Sequence, residues 1–504
     1  MRAPGVLLAV ILVTAIALAI GPLGAGVEAV VAGHRLQPQR PAPAAGPLPW
    51  LHVAHPANAT PFIADPGGRR VVLRGVVAAG LVDYWSGTDP NQVNPPAHWP
   101  VDPAAYAGGA CPANDITIWI PPLCRADLAQ MHDLGVQVLR LALSWSLLEP
   151  QPGHYSAAYE ARVAQVVGWA REEHVYVLLD MHQNAYSRYV GRSDPSRLPL
   201  PLSKGAPASL NDYDGAPAWA TFTDGLPSVK LFRQREVDPA VFEAATSFWL
   251  NRAGIQDRYI HAVADLARRF QGDSTVVGWN LFNEPWPGWA APPVFEDSLL
   301  FPFYRRAVDA LTGVRDGLPC PAGLPYPPAC GYPDLGVHAD HQLYFVEPGL
   351  LREVTDFPTH ASLPLSAYPN LVLSLHAYTH IYTLDALVGV PAGRSGWPSY
   401  DQGYWWGDVE ARGLGAALFV SEYGNDPADD PTLLANQVRE QRAHRVGGTF
   451  WVWKQSCGSG PWGLYDGTGP DGSPCAYEQA LPDTGPKPQN GPLRHQRAAT
   501  VLGS

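Results

Sequence analysis

Charged residues are scarce in this sequence, and runs of basic residues are few. Lys, Arg, Asp and Glu make up 16% of the 504 residues, and 46 acidic side chains outnumber 34 basic ones, which gives a formal net charge of −12. Proteins bind nucleic acids and anionic membranes through clustered Lys and Arg. The composition therefore argues against either as the main partner, and a neutral substrate fits it better.

Histidine pairs at the spacing of metal ligands are also nearly missing. His182 and His376 have no partner His or Asp at such a spacing, apart from His380, which follows His376 by four residues. A metal-dependent hydrolase is therefore the weaker hypothesis. We expect neither a metal nor another cofactor, and activity that is insensitive to EDTA would support this.

Apolar residues and loop-forming residues are plentiful. With 46% hydrophobic residues the chain is not disordered, and it can bury a large core as one big barrel or as two domains. The 53 prolines, 49 glycines and 17 tryptophans indicate long, rigid, aromatic-rich loops on a regular scaffold.

Short apolar runs alternate with helical stretches along the chain. This is the pattern of an α/β fold of the (β/α)₈ TIM barrel type. We predict helices at about 125–134, 157–173, 240–270, 298–312 and 432–444, and strands at 71–77, 136–143, 175–180, 276–282, 342–346, 371–375, 416–420 and 448–453. Gly75, inside the first strand, predicts a close approach of a neighbouring backbone.

Glu284 follows a buried apolar strand directly. Pro285 cannot continue a central strand, so Asn283 and Glu284 are expected at the carboxyl end, which faces the active site in parallel α/β barrels. Glu422 ends another predicted strand. Glycoside hydrolysis needs two such carboxyl groups, one to protonate the leaving oxygen and one to attack or to activate water. We expect apolar neighbours to keep Glu284 protonated.

Further polar and aromatic residues occupy other strand ends. Arg140 is expected to hold a carboxylate, although a salt bridge with no catalytic weight is the alternative. His182 and His376 are expected in the site rather than as core histidines, and Tyr378 is expected to hydrogen-bond Glu422. Two tryptophans complete the set. Trp219 is a sugar platform or an ordinary aromatic anchor, and Trp451 is a pocket residue whose place Trp453 could take.

The N-terminal segment resembles a secretory signal. Positive charge at Arg2 precedes the apolar run Val6–Ile20, so residues 1–29 are predicted to be a signal peptide or a retained N-terminal anchor, without a lipobox cysteine. Residues 30–56 are predicted to be a Pro/Ala-rich leader, 57–485 the catalytic domain and 486–504 a C-terminal tail. The expected location is secreted or extracytoplasmic.

Together, these motifs resemble glycoside hydrolase family 5, the cellulase family, between Val71 and Trp453. Within it, LLDMHQNAYSRY, DYDGAPAWAT, LFNEPWPG and FWVWKQSCG are similar to the endoglycoceramidase group. The resemblance implies a retaining mechanism, with Glu284 as acid/base, Glu422 as nucleophile, Asn283 as a ligand of the sugar 2-hydroxyl and Trp451 as the floor of the −1 subsite.

The sequence departs from that group in three places. Asn184 stands where the group has an acidic residue, and the uncharged stretch Val76–Leu81 stands where it has a lysine. Only about 50 residues follow Trp453 where the group carries a C-terminal β-sandwich, so we expect no complete sandwich. The predicted substrate is therefore a glycolipid or another β-glycoside, with membrane proximity through the substrate or the anchor. An endoglucanase acting on polysaccharide and a catalytically silent carbohydrate-binding barrel are the alternatives.

Six cysteines, an even number in an exported chain, favour disulfides. The expected pairs are local in sequence: Cys111–Cys124, Cys320–Cys330 and Cys457–Cys475. Each pair brackets a Gly/Pro-rich loop between barrel elements. A buried free cysteine is the alternative at any of these positions.

Overall fold

Eight parallel strands form a closed barrel in which each strand pairs with its sequence neighbours and the eighth pairs with the first. The computed structural model describes residues 46–82, 101–109, 122–191, 193–207, 215–314, 331–360, 368–390, 398–425, 431–455, 462–467, 490–493 and 502. The barrel strands are β1 (Arg74–Leu81), β2 (Val138–Ser144), β3 (Tyr176–His182), β4 (Val276–Asn280), β5 (Leu343–Val346), β6 (Leu371–His376), β7 (Ala417–Tyr423) and β8 (Gly447–Phe450). The predicted (β/α)₈ architecture is confirmed.

Helices occupy the connections between the strands. They are α1 (Arg125–Asp133), α2 (Trp145–Leu148), α3 (Ala157–Glu172), α4 (Pro239–Trp249), α5 (Ile255–Phe270), α6 (Phe301–Thr312), α7 (Leu351–Thr355), α8 (Leu384–Leu387), α9 (Tyr400–Leu414) and α10 (Pro431–His444). A π-helical turn, Glu296–Leu300, leads into α6. Short 3₁₀ turns lie at Pro103–Tyr106, Arg188–Val190, Pro195–Arg197, Leu202–Lys204, Ala218–Ala220, Leu231–Arg233 and Arg252–Gly254.

The predicted helix at 240–270 is two helices. Asn251 and Ala253 adopt positive φ angles of 52°, and Gly254 follows with a φ of 77°. A right-handed helix cannot pass through this left-handed stretch. The Asn251 side chain then accepts the backbone N–H groups of Gln256 and Asp257 at 3.0 and 3.2 Å, which starts the second helix.

The glycine predicted to allow close backbone approach does so. A Cβ atom at Gly75 would lie 1.7 Å from the carbonyl oxygen of Val138 on the neighbouring strand. No side chain can occupy that space, so Gly75 lets β1 and β2 pair closely.

The predicted boundary at residue 56 falls inside ordered structure. His52–Ala54 pairs antiparallel with Phe62–Ala64, and Leu51 and Val53 pack into the same core cluster as Leu73 and Phe345 of the barrel. The leader predicted to run to residue 56 therefore ends earlier, because an apolar hairpin closes one end of the barrel interior.

At the other end of the chain, Asn490–Leu493 pairs with Tyr465–Gly467. That strand in turn pairs with Lys454–Gln455 just after β8. Part of the predicted tail 486–504 is thus attached to the barrel. A second two-stranded sheet, Ala206–Pro207 with Val229–Lys230, lies in the long connection between β3 and β4.

Several predictions concern residues outside the described part of the chain. The signal or anchor at 1–29 lies outside it, as does at least one cysteine of each predicted pair, so the three disulfides stay predictions. Among the described helices, none has the length and apolar character needed to cross a membrane.

Candidate active site

Polar side chains converge at the carboxyl end of the barrel. Because all eight strands are parallel, the residues at their ends share one rim. The chain places there, on or just after β2 to β7, residues that are almost entirely buried: Arg140, Asp180, His182, Asn280, Asn283, Glu347, His376 and Glu422. The structure therefore brings together the predicted site residues at these positions.

Arg140 is the central cation of this rim. Its guanidinium donates to Glu422 Oε1, to Asn283 Oδ1 at 2.7 Å and to Glu347 Oε1 at 3.1 Å, and it lies 3.1 Å from Asp180 Oδ1. Burial by itself would lower the pKa of Arg140, but the carboxylates of Asp180, Glu422 and Glu347 raise it above its usual range. Arg140 therefore contacts carboxylates, as predicted, through its bonds to Glu422 and Glu347.

Glu422 is held from two sides. Arg140 binds one carboxyl oxygen, and the Tyr378 hydroxyl donates to the other at 3.0 Å. The expected hydrogen bond from Tyr378 is therefore present. Charge-assisted donors on both oxygens fix the orientation of the carboxylate toward the barrel mouth.

Glu284 lies four residues beyond the end of β4 in a strained backbone conformation. Its φ is 44°, a left-handed value that costs a residue with a Cβ atom on the order of 1–3 kcal/mol. Three hydrogen bonds hold it there. Its N–H donates to Glu347 Oε2 at 2.7 Å, and Gln183 Nε2 donates to the carbonyls of Asn283 and Glu284 at 2.7 and 2.9 Å. The neighbouring strands thus impose the direction in which the Glu284 side chain points.

The expected protonation of Glu284 by apolar surroundings is wrong for this structure. His376 Nδ1 lies 3.0 Å from Glu284 Oε1. Burial by itself would raise the pKa of Glu284, but the hydrogen bond and charge of His376, with help from Arg235, bring it below its usual value. Burial would lower the pKa of His376, yet the carboxylates of Glu347, Glu353, Glu422 and Glu284 raise it well above its usual value. The resting charge pattern is an imidazolium against a carboxylate.

The two predicted catalytic carboxyl groups face each other across His376. Its Nδ1 atom lies 3.0 Å from a Glu284 oxygen and 3.6 Å from a Glu422 oxygen. Those two oxygens are therefore at most about 6.6 Å apart, a bound that admits the ~5–5.5 Å separation of the carboxyl groups in retaining glycosidases.

Trp451 and His182 form one wall of the site. Their rings stack with centroids 5.6 Å apart and planes 10° from parallel, and His182 Nδ1 lies 2.9 Å from Asp180 Oδ2. Trp453 is fully buried, and its indole N–H donates to Asp127 Oδ1 at 2.9 Å. Of the two tryptophans, Trp451 is the one that contacts a predicted site residue, and its role under the sugar stays a prediction.

Trp219 is not brought to these residues. Its indole N–H donates to the carbonyl of Glu149 at 3.1 Å, and its ring packs edge-on against Trp145 at 5.4 Å. These contacts are those of an aromatic anchor under the long loop, and the role of Trp219 as a sugar platform stays a prediction. Sequence reasoning left both roles open because the surrounding residues alone cannot tell which way a loop tryptophan points.

Glu347 is the main site residue that sequence reasoning missed. Its Oε1 atom accepts from Arg140 and, at 2.6 Å, from Asn280, while its Oε2 atom accepts from the backbone of Glu284. The signal was visible, because Glu347-Pro348 repeats the pattern of Glu284-Pro285 after a short apolar strand. Asp180 and Asn280, joined at 2.8 Å, were missed as well.

Asn184, which departs from the pattern of the endoglycoceramidase group, is held by two neighbours. Its amide nitrogen lies 3.1 Å from His182 Nε2, and its oxygen accepts from Arg235 at 2.7 Å. Arg235 comes from the long connection between β3 and β4. This loop therefore delivers a positive charge to the rim.

The described residues contain one group of three side chains whose ligand atoms could share a metal ion. These are Glu284, Glu353 and His376, with ligand atoms within 4.8 Å of one another. Two of the three already contact each other at the distance of an ion pair. The expectation that no metal takes part stays a prediction.

Comparisons with known proteins point to one family. Residues 109–311 match the model of the cellulase family, glycosyl hydrolase family 5. Endoglycoceramidase I of Rhodococcus hoagii (strain 103S) is 24% identical over 330 residues, which cover 63% of this chain and 57% of that relative. Glucosylceramidase of Aspergillus fumigatus is 24% identical over 242 residues, covering 44% of this chain and 31% of that protein.

Solved structures agree. A crystal structure of endogalactoceramidase is 29% identical, covers 90% of this chain and 85% of that chain, and has a TM-score of 0.65. Endo-glycoceramidase II from Rhodococcus sp., as its lactosyl-enzyme intermediate, is 25% identical and covers 82% of this chain and 79% of that one, with a TM-score of 0.55. The predicted resemblance is confirmed. The chain spans a little over half of endoglycoceramidase I and about a third of the glucosylceramidase.

Proposed function

We propose that this chain, whose barrel carries a glycosyl hydrolase family 5 domain, is a retaining glycosidase that cleaves the β-glycosidic bond of a glycolipid. The observation that carries the proposal is the pair of carboxyl groups of Glu284 and Glu422, whose oxygens lie 3.0 and 3.6 Å from the same nitrogen, His376 Nδ1. Their closeness suits direct attack by one carboxylate rather than a water held between two.

In the first step, Glu422 attacks the anomeric carbon while Glu284 gives a proton to the leaving oxygen. The glycosidic bond breaks as the Glu422 ester forms, so one negative charge passes from Glu422 to Glu284. In the second step, Glu284 takes a proton from water, the oxygen of that water bonds to the anomeric carbon and Glu422 leaves as a carboxylate. Two displacements restore the original configuration.

The surrounding residues have matching roles. Arg140 and Tyr378 orient the two oxygens of Glu422 and disperse its charge when it leaves. Asn283 accepts from Arg140 at 2.7 Å and donates to the Gln183 carbonyl at 2.9 Å, and these contacts support its role as a sugar ligand. Trp451 supplies the flat apolar surface for the sugar ring.

Two observations support a lipid as the leaving group. The relatives are named for ceramide glycosides. In addition, the loops after β3, β4 and β6 expose large apolar side chains at the same end of the barrel, namely Leu200, Phe232, Trp289 and Val388. Apolar side chains around the mouth suit an aglycone with hydrocarbon chains, whereas a polysaccharide would be polar along its whole length.

An extracytoplasmic location, proximity to a membrane and the three local disulfides are part of the same proposal. The apolar run at residues 6–20 and the even number of cysteines support them. Determining the N-terminus of the mature protein, and mapping peptides of the unreduced protein, would test them. A Cys111 or Cys457 open to alkylation would contradict the local pairing.

The experiment that tests the reaction is NMR of the first-formed sugar. It should be run with glucosylceramide, lactosylceramide and the matching 4-nitrophenyl β-glycosides, beside cellulose as the polysaccharide control. We expect the β-anomer to appear first and glycolipids to be cleaved. If the α-anomer appears first, Glu422 is not the nucleophile. Cleavage of cellulose alone would favour an endoglucanase. Sugar binding without turnover would favour a catalytically silent carbohydrate-binding barrel.

A further inference from the structure

Glu353 is a buried carboxyl group beside the acid/base that the mechanism above does not use. It lies on α7, a few residues after β5, and its side chain is 5% exposed. Its Oε1 atom lies 3.6 Å from His376 Nδ1, and no hydrogen-bond partner for this atom is found among the described residues. A buried polar atom without a partner is costly, so its persistence beside the catalytic groups calls for an explanation.

The charges around His376 do not balance if every group is ionised. Glu284, Glu347, Glu353 and Glu422 each place an oxygen 3.0 to 3.6 Å from one of its ring nitrogens. Arg140 and Arg235 are the other cations near these groups, and Asp180 already lies beside Arg140. Four carboxylates around one imidazolium in a buried site repel one another strongly. At least one of them must therefore be a neutral acid.

Glu353 is the group that stays protonated. Burial raises the pKa of Glu353 well above its usual value, and the charges of Glu284, Glu347 and Glu422 raise it further against the opposing effect of His376. His376 also carries a proton, whereas the pKa of Glu284 is low. The resting group of Glu284, His376 and Glu353 therefore holds two protons, and neither is on the residue that must donate one.

We propose that Glu353 stores the catalytic proton and delivers it to Glu284 through His376. This inference rests on the function proposed above. The Nδ1 proton of His376 passes to Glu284 Oε1, and the carboxyl proton of Glu353 replaces it on Nδ1. No proton enters or leaves, and one negative charge moves from Glu284 to Glu353. Substrate drives the transfer, because a glycosidic oxygen in place of water favours an uncharged Glu284.

The cycle closes without another reactant. Glu284 gives its proton to the leaving oxygen in the first displacement and takes one from water in the second. When the sugar departs, that proton returns through His376 to Glu353. The ligand atoms of the three residues lie within 4.8 Å of one another, so small side-chain movements are enough for each transfer. Glu353 is thus a positioning residue for the proton and does not touch the substrate.

The test uses Glu353→Gln, which keeps the shape of the side chain and removes its proton. We compare kcat/KM on an n-octyl β-glycoside, whose leaving group needs a proton, with kcat/KM on the 2,4-dinitrophenyl glycoside, whose leaving group does not. In this variant kcat/KM should fall ~10–100-fold on the octyl substrate and less than about 2-fold on the dinitrophenyl substrate. The alkaline limb of the octyl pH profile should move to lower pH. Glu353→Asp, which keeps a proton, should recover part of the octyl rate.

Glu296→Gln is the matched control. Glu296 is also a fully buried acid, but it lies outside the group formed by Glu284, Glu353 and His376. This variant should leave both substrates unchanged. Equal losses on the two substrates in Glu353→Gln would show a structural role, and no loss on either would show that Glu284 is protonated from elsewhere. Both outcomes overturn the relay only, whereas a wild-type protein inactive on both substrates overturns the proposed function itself.

Infrared difference spectra provide a measurement that does not depend on turnover. At neutral pH the wild-type protein should show the carbonyl band of a protonated carboxylic acid that Glu353→Gln lacks. A band that is equally strong in both proteins would contradict the inference.

Discussion

Two glutamates of this barrel stand in the same local sequence and lie in different environments. Glu284-Pro285 follows β4, and Glu347-Pro348 follows β5. The Glu284 side chain is 17% exposed, and within the described part of the chain its hydrogen bond is to His376. The Glu347 side chain is 1% exposed and binds Arg140, Asn280 and the Glu284 backbone. The comparison teaches that the number of fixed donors around a strand-end carboxylate decides whether it can exchange protons or only hold its neighbours in place.

The largest expected effect is on proton transfer. Glu284→Ala should lower kcat/KM on alkyl glycosides by ~10²–10⁴-fold, because proton donation is lost. Activity on a dinitrophenyl glycoside should survive, and azide should accelerate it by replacing water as the nucleophile in the second step. Glu422→Ala should lose activity on both the alkyl and the dinitrophenyl glycoside. If azide fails to rescue the first variant while the second still turns over the activated substrate, the two roles are reversed.

Changing Glu347 should produce the opposite pattern. Glu347→Gln replaces one acceptor oxygen by an amide NH₂ group, which is a donor. Since the Glu284 N–H, Arg140 and Asn280 all donate to Glu347, the new amide would face another donor. We expect a loss of ~10²-fold on alkyl and dinitrophenyl substrates alike, since the backbone of Glu284 is displaced. Unfolding free energy, measured in denaturant, should fall by ~1–3 kcal/mol. Rescue by azide would contradict the distinction between the two glutamates.

Glu296 extends the comparison to a fully buried carboxyl group outside the cluster around His376. Burial raises the pKa of Glu296 to about 7. The pKa of Glu296 is higher in the folded protein than in the unfolded chain. Its favourable contribution to the free energy of unfolding is therefore complete below pH ~4.5 and is lost as the pH rises through about 7. Glu296→Gln should therefore stabilise the protein by on the order of 1–3 kcal/mol at pH 8 and by close to nothing at pH 4. Equal shifts in thermal midpoint at both pH values would contradict this.

The smallest expected effect comes from two tryptophans near the end of β8. Trp453→Phe removes the hydrogen bond from the indole N–H to Asp127. The Asp127 carboxylate still accepts from Lys454 Nζ at 2.8 Å and from the Cys124 N–H at 2.7 Å. We expect a loss of ~1 kcal/mol in stability and a change in KM below about 2-fold. Trp451→Phe, as the matched control, should raise KM more. The reverse order would show that Trp453 is the one that contacts substrate.

Much of the barrel could be predicted because its signals are local. Short apolar runs of strand length, separated by helical stretches, indicated all eight strands, and Pro285 marked where the fourth must end. Parallel strands in a closed barrel place their carboxyl ends on one rim, so Glu284, Glu422, Arg140 and His376 could be assigned to one site before any distance was known.

The failures share a physical cause. The protonation of Glu284 depends on His376, which is 92 residues away in the sequence, and the role of Glu347 depends on Arg140, which is 207 residues away. Glu353 lies on a single short helix with no motif of its own. Trp219 lies in a loop, where no strand parity fixes the direction of a side chain.

The sequence by itself determined which residues form strands and which carboxyl groups stand at their ends. Both follow from hydrophobic periodicity and from the missing N–H of proline, which act over a few residues. Only the tertiary structure decided which carboxyl group faces the pocket, which is locked by donors and which keeps its proton. The charge state of a buried group is set by burial and by the summed field of neighbours that the fold collects from distant parts of the chain.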